Sequence, residues 1–573
     1  MYLREVSRQN RDGSVVTYLQ LVESVWNPET QRPAPKILHS FGRLDETRTK
    51  VVALAENILR KLDPDKAALL DAPVGTDPTG APEVPTRPFG AVHVLDELWH
   101  ELGLSVTIRR KFRASGEADP RSLERAVFAM VAHMASMTGS KRACYREWLG
   151  EEVHVPGTGD LKLGRFYVAL DRLEENEAEI QYQAFDRVAS LLNVDVDLVF
   201  FYDTTSVHWD IEDDDEERVW KRPPRDAAPF RLRGYNKDFR PDAPQVVIAM
   251  AVTRDGFPVR SWIFPGNTVD VTTIAQVKKD LNAWNLRRCV IVGDRGMISE
   301  ENCRTLRGGA GGYILGVPMR RGEKSIKSVL SRPGRFQKVR DNLQVKEVWY
   351  PSRTHVKAQR FVIALNPDER TRDLHQREDL LERLNAELEA LRDLRPDDQK
   401  QRVHELMANS TYKRYLIETS SGSLRINPAK VKEEEKLDGK YLITTSDETL
   451  SAEDLALGYK HLQQIERAWR TMKDTFELMP VRHYAPRRIR AHVRVAQLAV
   501  TLTRLVEVRT GMTWPEARML LNRVQSARVD TNLLGTTPTS PQVRKILDKL
   551  QVAAIPRLMP FDGIRRVERE PKT

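Results

Sequence analysis

CVIVGDRGM, Cys289–Met297, is the stretch that decides what kind of sheet this chain can build. Its apolar run, Cys289 to Val292, is long enough for a buried strand and too short for a helix. Gly293 lets the backbone turn without steric penalty, so Asp294 is expected at the exposed strand tip. VFFYDTTS, Val199–Ser206, has the same form, with Val199–Tyr202 as a strand and Asp203 at its end. Open α/β sheets bind ligands at the carboxyl ends of their strands, so two such carboxylates make a candidate metal site. Their hard oxygens suit Mg²⁺ or Mn²⁺. Either Asp alone would be an ordinary turn or capping residue.

A third segment is GYKHLQQIERAWRTMKDTFELMP, Gly458–Pro480. Read as one helix, it carries Tyr459, Glu466 and Lys473 seven residues apart, nearly two turns each, so they share a stripe with Gln463 and Arg470. A second stripe, Leu462, Ile465, Trp469, Met472 and Phe476, is apolar at 3-4 spacing. The helix therefore buries one side and offers a carboxylate between a phenol and cations. Taken alone it would be an ordinary amphipathic helix.

Asp203, Asp294 and Glu466, in that order, resemble the DDE transposases of bacterial insertion sequences. The closest likeness is to the subclass whose signature is Tyr, two residues, Arg, three residues, Glu, six residues, Lys. Tyr459, Glu466 and Lys473 match it, as do the Asp203-Thr204-Thr205 and Asp294-Arg295-Gly296 triplets; Leu462 stands where Arg is expected. The resemblance implies an α/β fold with an RNase H-like core, interrupted by a β-rich insertion before the Glu. It implies catalysis and metal binding by Asp203, Asp294 and Glu466, with two Mg²⁺ per site and Mn²⁺ able to substitute. It implies DNA contacts by Tyr459, Lys473 and Arg295, with Arg470 the better substitute for the missing Arg and Lys460 pointing away. The expected reaction is cleavage at the element's terminal inverted repeats and joining of the 3′-OH to target DNA, by a homodimer or larger assembly. The rivals are an RNase H-like nuclease or resolvase without strand transfer, and a DNA-binding regulator with an inactive core. No G-x-x-x-x-G-K-[ST] motif supports an NTPase.

The whole chain fits this reading. Its 573 residues exceed one core, and a net charge of +10 suits a polyanionic partner such as double-stranded DNA. Three scattered cysteines give no disulfide or zinc framework, no run reaches membrane-span length, and MYLREVSRQNRDG lacks the apolar core of a signal peptide. A cytoplasmic, nucleoid-associated protein is expected.

Seven segments are expected. Residues 1–62 form a β-rich element with strands at Ser14–Val22 and Lys36–Phe41 and a helix over Thr47–Lys61. Residues 63–90 are a Pro-rich linker. Residues 91–193 form a helical DNA-binding domain whose Lys141 and Arg142 suit phosphate contact. Residues 194–318 begin the core, 319–448 form the insertion, 449–510 complete the core with the Glu466 helix, and 511–573 form a helical tail. Three strands, helix, strand, helix, strand is the order expected in 194–318. Arg490 and Arg494 share a helix face that could track DNA. The run DIEDDDEE, Asp210–Glu217, reads as a solvated loop because like charges repel.

Overall fold

The computed structural model describes residues 2–9, 15–27, 32–43, 85–137, 139–192, 199–216, 228–238, 240–284, 289–308, 311–320, 324–351, 358–391, 395–419, 423–530 and 533–561. The helix expected over Thr47–Lys61 and most of the Pro-rich linker lie outside them. The chain divides into two compact units. One comprises residues 1–83 with 375–387. Its described strands, β1 (Tyr2–Gln9), β2 (Val15–Asn27) and β3 (Arg32–Arg43), form an antiparallel sheet in that order. β2 and β3 occupy the two expected strand positions; the largely polar β1 sequence gave no such signal.

The second unit begins with β4 (Thr86–Pro88) and the helices α1 (Gly90–Glu101), α2 (Leu104–Ala114), α3 (Pro120–Ser136), α4 (Leu163–Glu175) and α5 (Glu177–Leu191), with a short helical turn, Lys141–Ala143, running into a π-helix, Cys144–Glu152, between α3 and α4. Their starts follow from sequence. In α3, Pro120 takes the first position and the Asp119 side chain accepts from the Ser122 N–H.

The core follows in the expected order: β5 (Val199–His208), β6 (Gln245–Val252), β7 (Pro258–Pro265), α6 (Asp270–Asn282), β8 (Cys289–Gly293), α7 (Glu300–Arg307) and β9 (Gly311–Val317). All eight residues of β6, QVVIAMAV, are buried, as a strand covered on both faces requires. Beyond β9 come α8 (Lys324–Ser331), β10 (Gln337–Arg340), β11 (Leu343–Tyr350), β12 (Gln359–Leu365), the helices α9 (Pro367–Ala390) and α10 (Pro396–Ala408), the hairpin β13 (Leu416–Glu418) and β14 (Leu424–Ile426), α11 (Pro428–Glu435) and β15 (Lys440–Thr445).

One nine-stranded sheet runs β10-β11-β12-β15-β9-β8-β5-β6-β7. Only β5–β8 and β8–β9 are parallel. The first five core strands thus lie in the order third, second, first, fourth, fifth, which is the RNase H-like arrangement. The inserted segment does not stand apart, because β10, β11, β12 and β15 extend the same sheet.

After β15 come α12 (Ala452–Lys460), α13 (Gln463–Arg470), α14 (Pro486–Thr510), α15 (Trp514–Leu521), β16 (Gln525–Asp530), β17 (Leu533–Thr536), α16 (Pro541–Leu550) and β18 (Leu558–Pro560). The expected helical tail therefore also holds strands, which pair in a sheet with β4 from the far end of this unit. One face of the main sheet buries Val207, Ile248, Met250 and Val292 with Ile465, Trp469, Met472 and Phe476. The other buries Tyr202, Ala249 and Ile291 with Ile274, Val277 and Leu281 of α6. No described helix is long and apolar enough to cross a membrane.

The acidic run is not simply solvated. Asp215 accepts from the backbone and guanidinium of Arg231, and buried Asp214 lies 3.6 Å from Arg233. Nearby arginines make folding the loop back cheaper than leaving its charges in mutual repulsion.

Candidate active site

Asp203 lies within β5, not at its end. Tyr202 pairs with Gly293 on the parallel neighbour β8, which stops there, whereas β5 continues to His208 against β6. Asp203 therefore sits where the sheet steps down from two neighbours to one, and Asp294 is the residue just after the step. The side chain of Tyr202 enters the α6 face, so Asp203 points to the opposite face by strand alternation. Adjacent strands lie about 4.8 Å apart, which brings the two carboxylates into electrostatic range.

Burial pushes the Asp203 carboxyl above its ordinary pKa, and the charges of Asp270 and Asp294 push it further. The Lys237 ammonium opposes this from 3.6 Å, and it also lies 3.2 Å from Asp270 and donates to the carbonyl and hydroxyl of Thr204 at 2.6 Å. A cation already rests against Asp203.

Asp294 is exposed, and its Oδ1 accepts from the Tyr459 hydroxyl at 3.1 Å. Burial and the Asp294 charge raise the Tyr459 pKa, keeping the phenol protonated as a donor. Gly316 makes this reach possible, since a Cβ there would lie 2.2 Å from the Tyr459 oxygen.

The segment expected as one helix is broken. Leu462 N–H bonds back to Tyr459 and Ile465 N–H to Leu462, tightening the chain between α12 and α13. Phe476 N–H then reaches Thr471, five residues back, in a π turn over Thr471–Thr475. A 3.6-residue stripe across this stretch is therefore not continuous. The apolar side holds: Ile465, Trp469, Met472 and Phe476 are buried and Leu462 is half-buried against them. Each fully buried large side chain contributes about 1.5–3 kcal/mol to docking this segment.

α13 packs over β5 and β6, on the sheet face that Asp203 addresses. Glu466 is exposed there, and its carboxylate makes no hydrogen bond or ion pair with a described residue. Among the described residues, no three acidic, histidine or cysteine side chains are close enough to hold one ion. Asp203 and Asp294 thus each follow a paired position of neighbouring strands, and Glu466 lies on α13, which packs over the same sheet. An all-oxygen donor pair with an ammonium already on one member fits a divalent cation.

The remaining residues divide sharply. Arg142, Arg295 and Arg470 are exposed. Lys473 pairs with both carboxylate oxygens of Asp238 at 3.0 Å. Lys141, expected at a DNA-facing surface, is buried with 3% exposure. Arg494 is buried too, between Glu174 at 3.8 Å and Glu177 at 3.5 Å, while Arg490 lies 4.0 Å from Glu174 and over the Phe230 ring. Arg487 and Arg488 both pair with Asp171. The arginine-rich start of α14 is zipped to acids of α4 and α5, so its charge holds these helices together.

Lys237, Asp238 and Asp270 are absent from the sequence reading. Their one local signal is Asn236, an Asx-turn residue whose Oδ1 accepts from the Asp238 N–H at 2.7 Å.

Residues 244–502 match a family described as Transposase DDE domain, and residues 3–71 match the IS1634 family transposase N-terminal domain. The two ranges together cover more than half of the chain. Asp294 and Glu466 fall within the first range, and Asp203 precedes it. Among solved structures, the cryo-EM structure of the piggyBac transposase synaptic complex with hairpin DNA is similar at 9% identity and a TM-score of 0.31, over 80% of this chain and 79% of that one. No curated protein sequence matches.

Proposed function

Because the chain belongs to the DDE transposases of bacterial insertion sequences, we propose that it cuts and joins DNA at the face formed by Asp203, Asp294 and Glu466. Members of this family perform metal-dependent DNA cleavage and strand transfer. In this reading the DNA is the element's terminal inverted repeats and then the target, bound by a homodimer or larger assembly in the cytoplasm. Divalent cations, here two Mg²⁺ with Mn²⁺ able to substitute, activate the attacking water or 3′-hydroxyl and stabilise the leaving oxygen when bound.

The chain's own residues do the rest. Asp203 and Asp294 would hold the cations, and the Tyr459 hydroxyl fixes the Asp294 carboxylate. Glu466, on α13 over the same sheet face, would complete the acidic set. Arg295, Lys473 and Arg470 face phosphates, with Arg470 in place of the signature Arg. The observation that supports this reading is the strand register Tyr202–Gly293, after which Asp203 and Asp294 each follow by one residue. Asp203→Asn, Asp294→Asn and Glu466→Gln each remove an anionic ligand at nearly constant volume. Nicking and strand transfer on a duplex carrying the element's end should vanish in all three, while a mobility shift on the same duplex persists. Normal nicking by any one removes that residue from the site.

A further inference from the structure

Two neighbouring residues, Lys237 and Asp238, occupy two charges that the reaction needs. The Lys237 ammonium rests on Asp203 and Asp270, and the Asp238 carboxylate holds Lys473 and lies 3.7 Å from His208. The backbone beneath them is locked. Leu232 and Gln245 exchange backbone hydrogen bonds at 3.0 Å. The Gln245 side chain donates to the carbonyls of Tyr235 and Gly266 and accepts from Asn236. Gly234 and Gly266 permit this crowding: a Cβ on either would lie 2.3 Å or 2.0 Å from a backbone oxygen. The loop therefore holds its place while the two charged side chains can exchange partners.

We propose that Lys237 and Asp238 form a charge latch on the DNA-free site. It rests on the transposase reading and adds how the site is kept before substrate arrives. Asp238 competes with a DNA phosphate for the same ammonium, since both offer anionic oxygens, and a free carboxylate facing DNA repels it. Lys237 balances Asp203 in the same way until the site is loaded. Element-end DNA takes Lys473 from Asp238, so the latch lowers affinity for DNA and withholds the phosphate grip from a free enzyme.

The test is a double-mutant cycle on DNA affinity with the full chain and a short duplex from the DNA flanking the gene. Asp238→Asn should tighten binding about two- to fivefold, the worth of a partly exposed ion pair. The gain should disappear when Lys473→Gln is already present. A gain that persists without Lys473 means only general repulsion by Asp238 and overturns the latch, as does no gain at all. Asp238→Ser runs the same cycle if Asp238→Asn does not fold. Misfolding of both would make the pair structural and also overturn the proposal. Wild-type protein that binds no such DNA overturns the transposase reading and the latch together, whereas normal wild-type binding with no coupling overturns the latch alone.

Discussion

Replacing Lys141 with methionine should make this protein more stable and leave its grip on DNA unchanged. Lys141 opens a helical turn whose N-cap, Ser140, accepts from the Ala143 N–H at 3.0 Å. Its side chain is buried and has no hydrogen bond or ion pair to a described residue. Its charge acts on His133, His483 and His492, all basic neighbours. Burial pulls the ammonium down from 10.5 to about 8, opposed only by the Cys144 thiol. At about 1.36 kcal/mol per tenfold, that fall represents roughly 3 kcal/mol against folding at pH 7, where the group is still charged. A base with a lowered folded pKa binds its proton more weakly when folded. The penalty is therefore complete below about pH 8 and fades as pH rises toward 10.5. Lys141→Met keeps the length of the chain and removes the charge, so it should stabilise by up to about 3 kcal/mol at pH 7 and by little at pH 10.5. Urea midpoints at the two pH values, beside DNA titrations across a salt series, measure both halves. Destabilisation at pH 7 would refute the burial argument. A salt slope lower by about 0.9 would return Lys141 to a phosphate contact.

Other consequences follow from the same charges. Burial, then Lys141, holds His133 near pKa 3, so stability should fall as pH drops from 6.5 toward 3, when the unfolded chain takes up protons first; His133→Gln should flatten that part of a Tm-versus-pH curve by about 2 kcal/mol at pH 5. Arg494→Met strips Glu174 and Glu177 of a shared buried partner and should cost about 3–5 kcal/mol in urea unfolding, with unaltered DNA affinity per folded molecule. Leu462→Ala should cost about 1–2 kcal/mol, less than a fully buried leucine, because its side chain is half-buried; a loss beyond about 3 kcal/mol would contradict that placement. Lys473→Ala should lower the salt slope of end-DNA binding by about 0.9, and an unchanged slope would leave Lys473 as Asp238's partner only.

Local pattern settled much of this protein. Short apolar runs announced the start of β5 and the strands β6, β8 and β9, because a strand covered on both faces is largely apolar, while β7, which buries Arg260 and Ser261, was legible as the hairpin partner of β6. The 3-4 spacing from Leu462 to Phe476 announced the buried side of the segment that carries Glu466, because burial tolerates a broken helix as long as the apolar residues face inward. The two Asp were legible because each follows such a run. Tertiary structure alone decided which charges meet. Lys141, Arg490 and Arg494 look like DNA-facing cations in sequence, yet their neutralising or insulating partners lie on distant helices. The exposed Arg142 carries the same local signal. Lys237 finds Asp203 thirty-four residues away, and Asp238 finds Lys473 across 235 residues. Charge has no periodicity by which a sequence could reveal its partner, because Coulomb attraction acts on distance in space and not on separation along the chain.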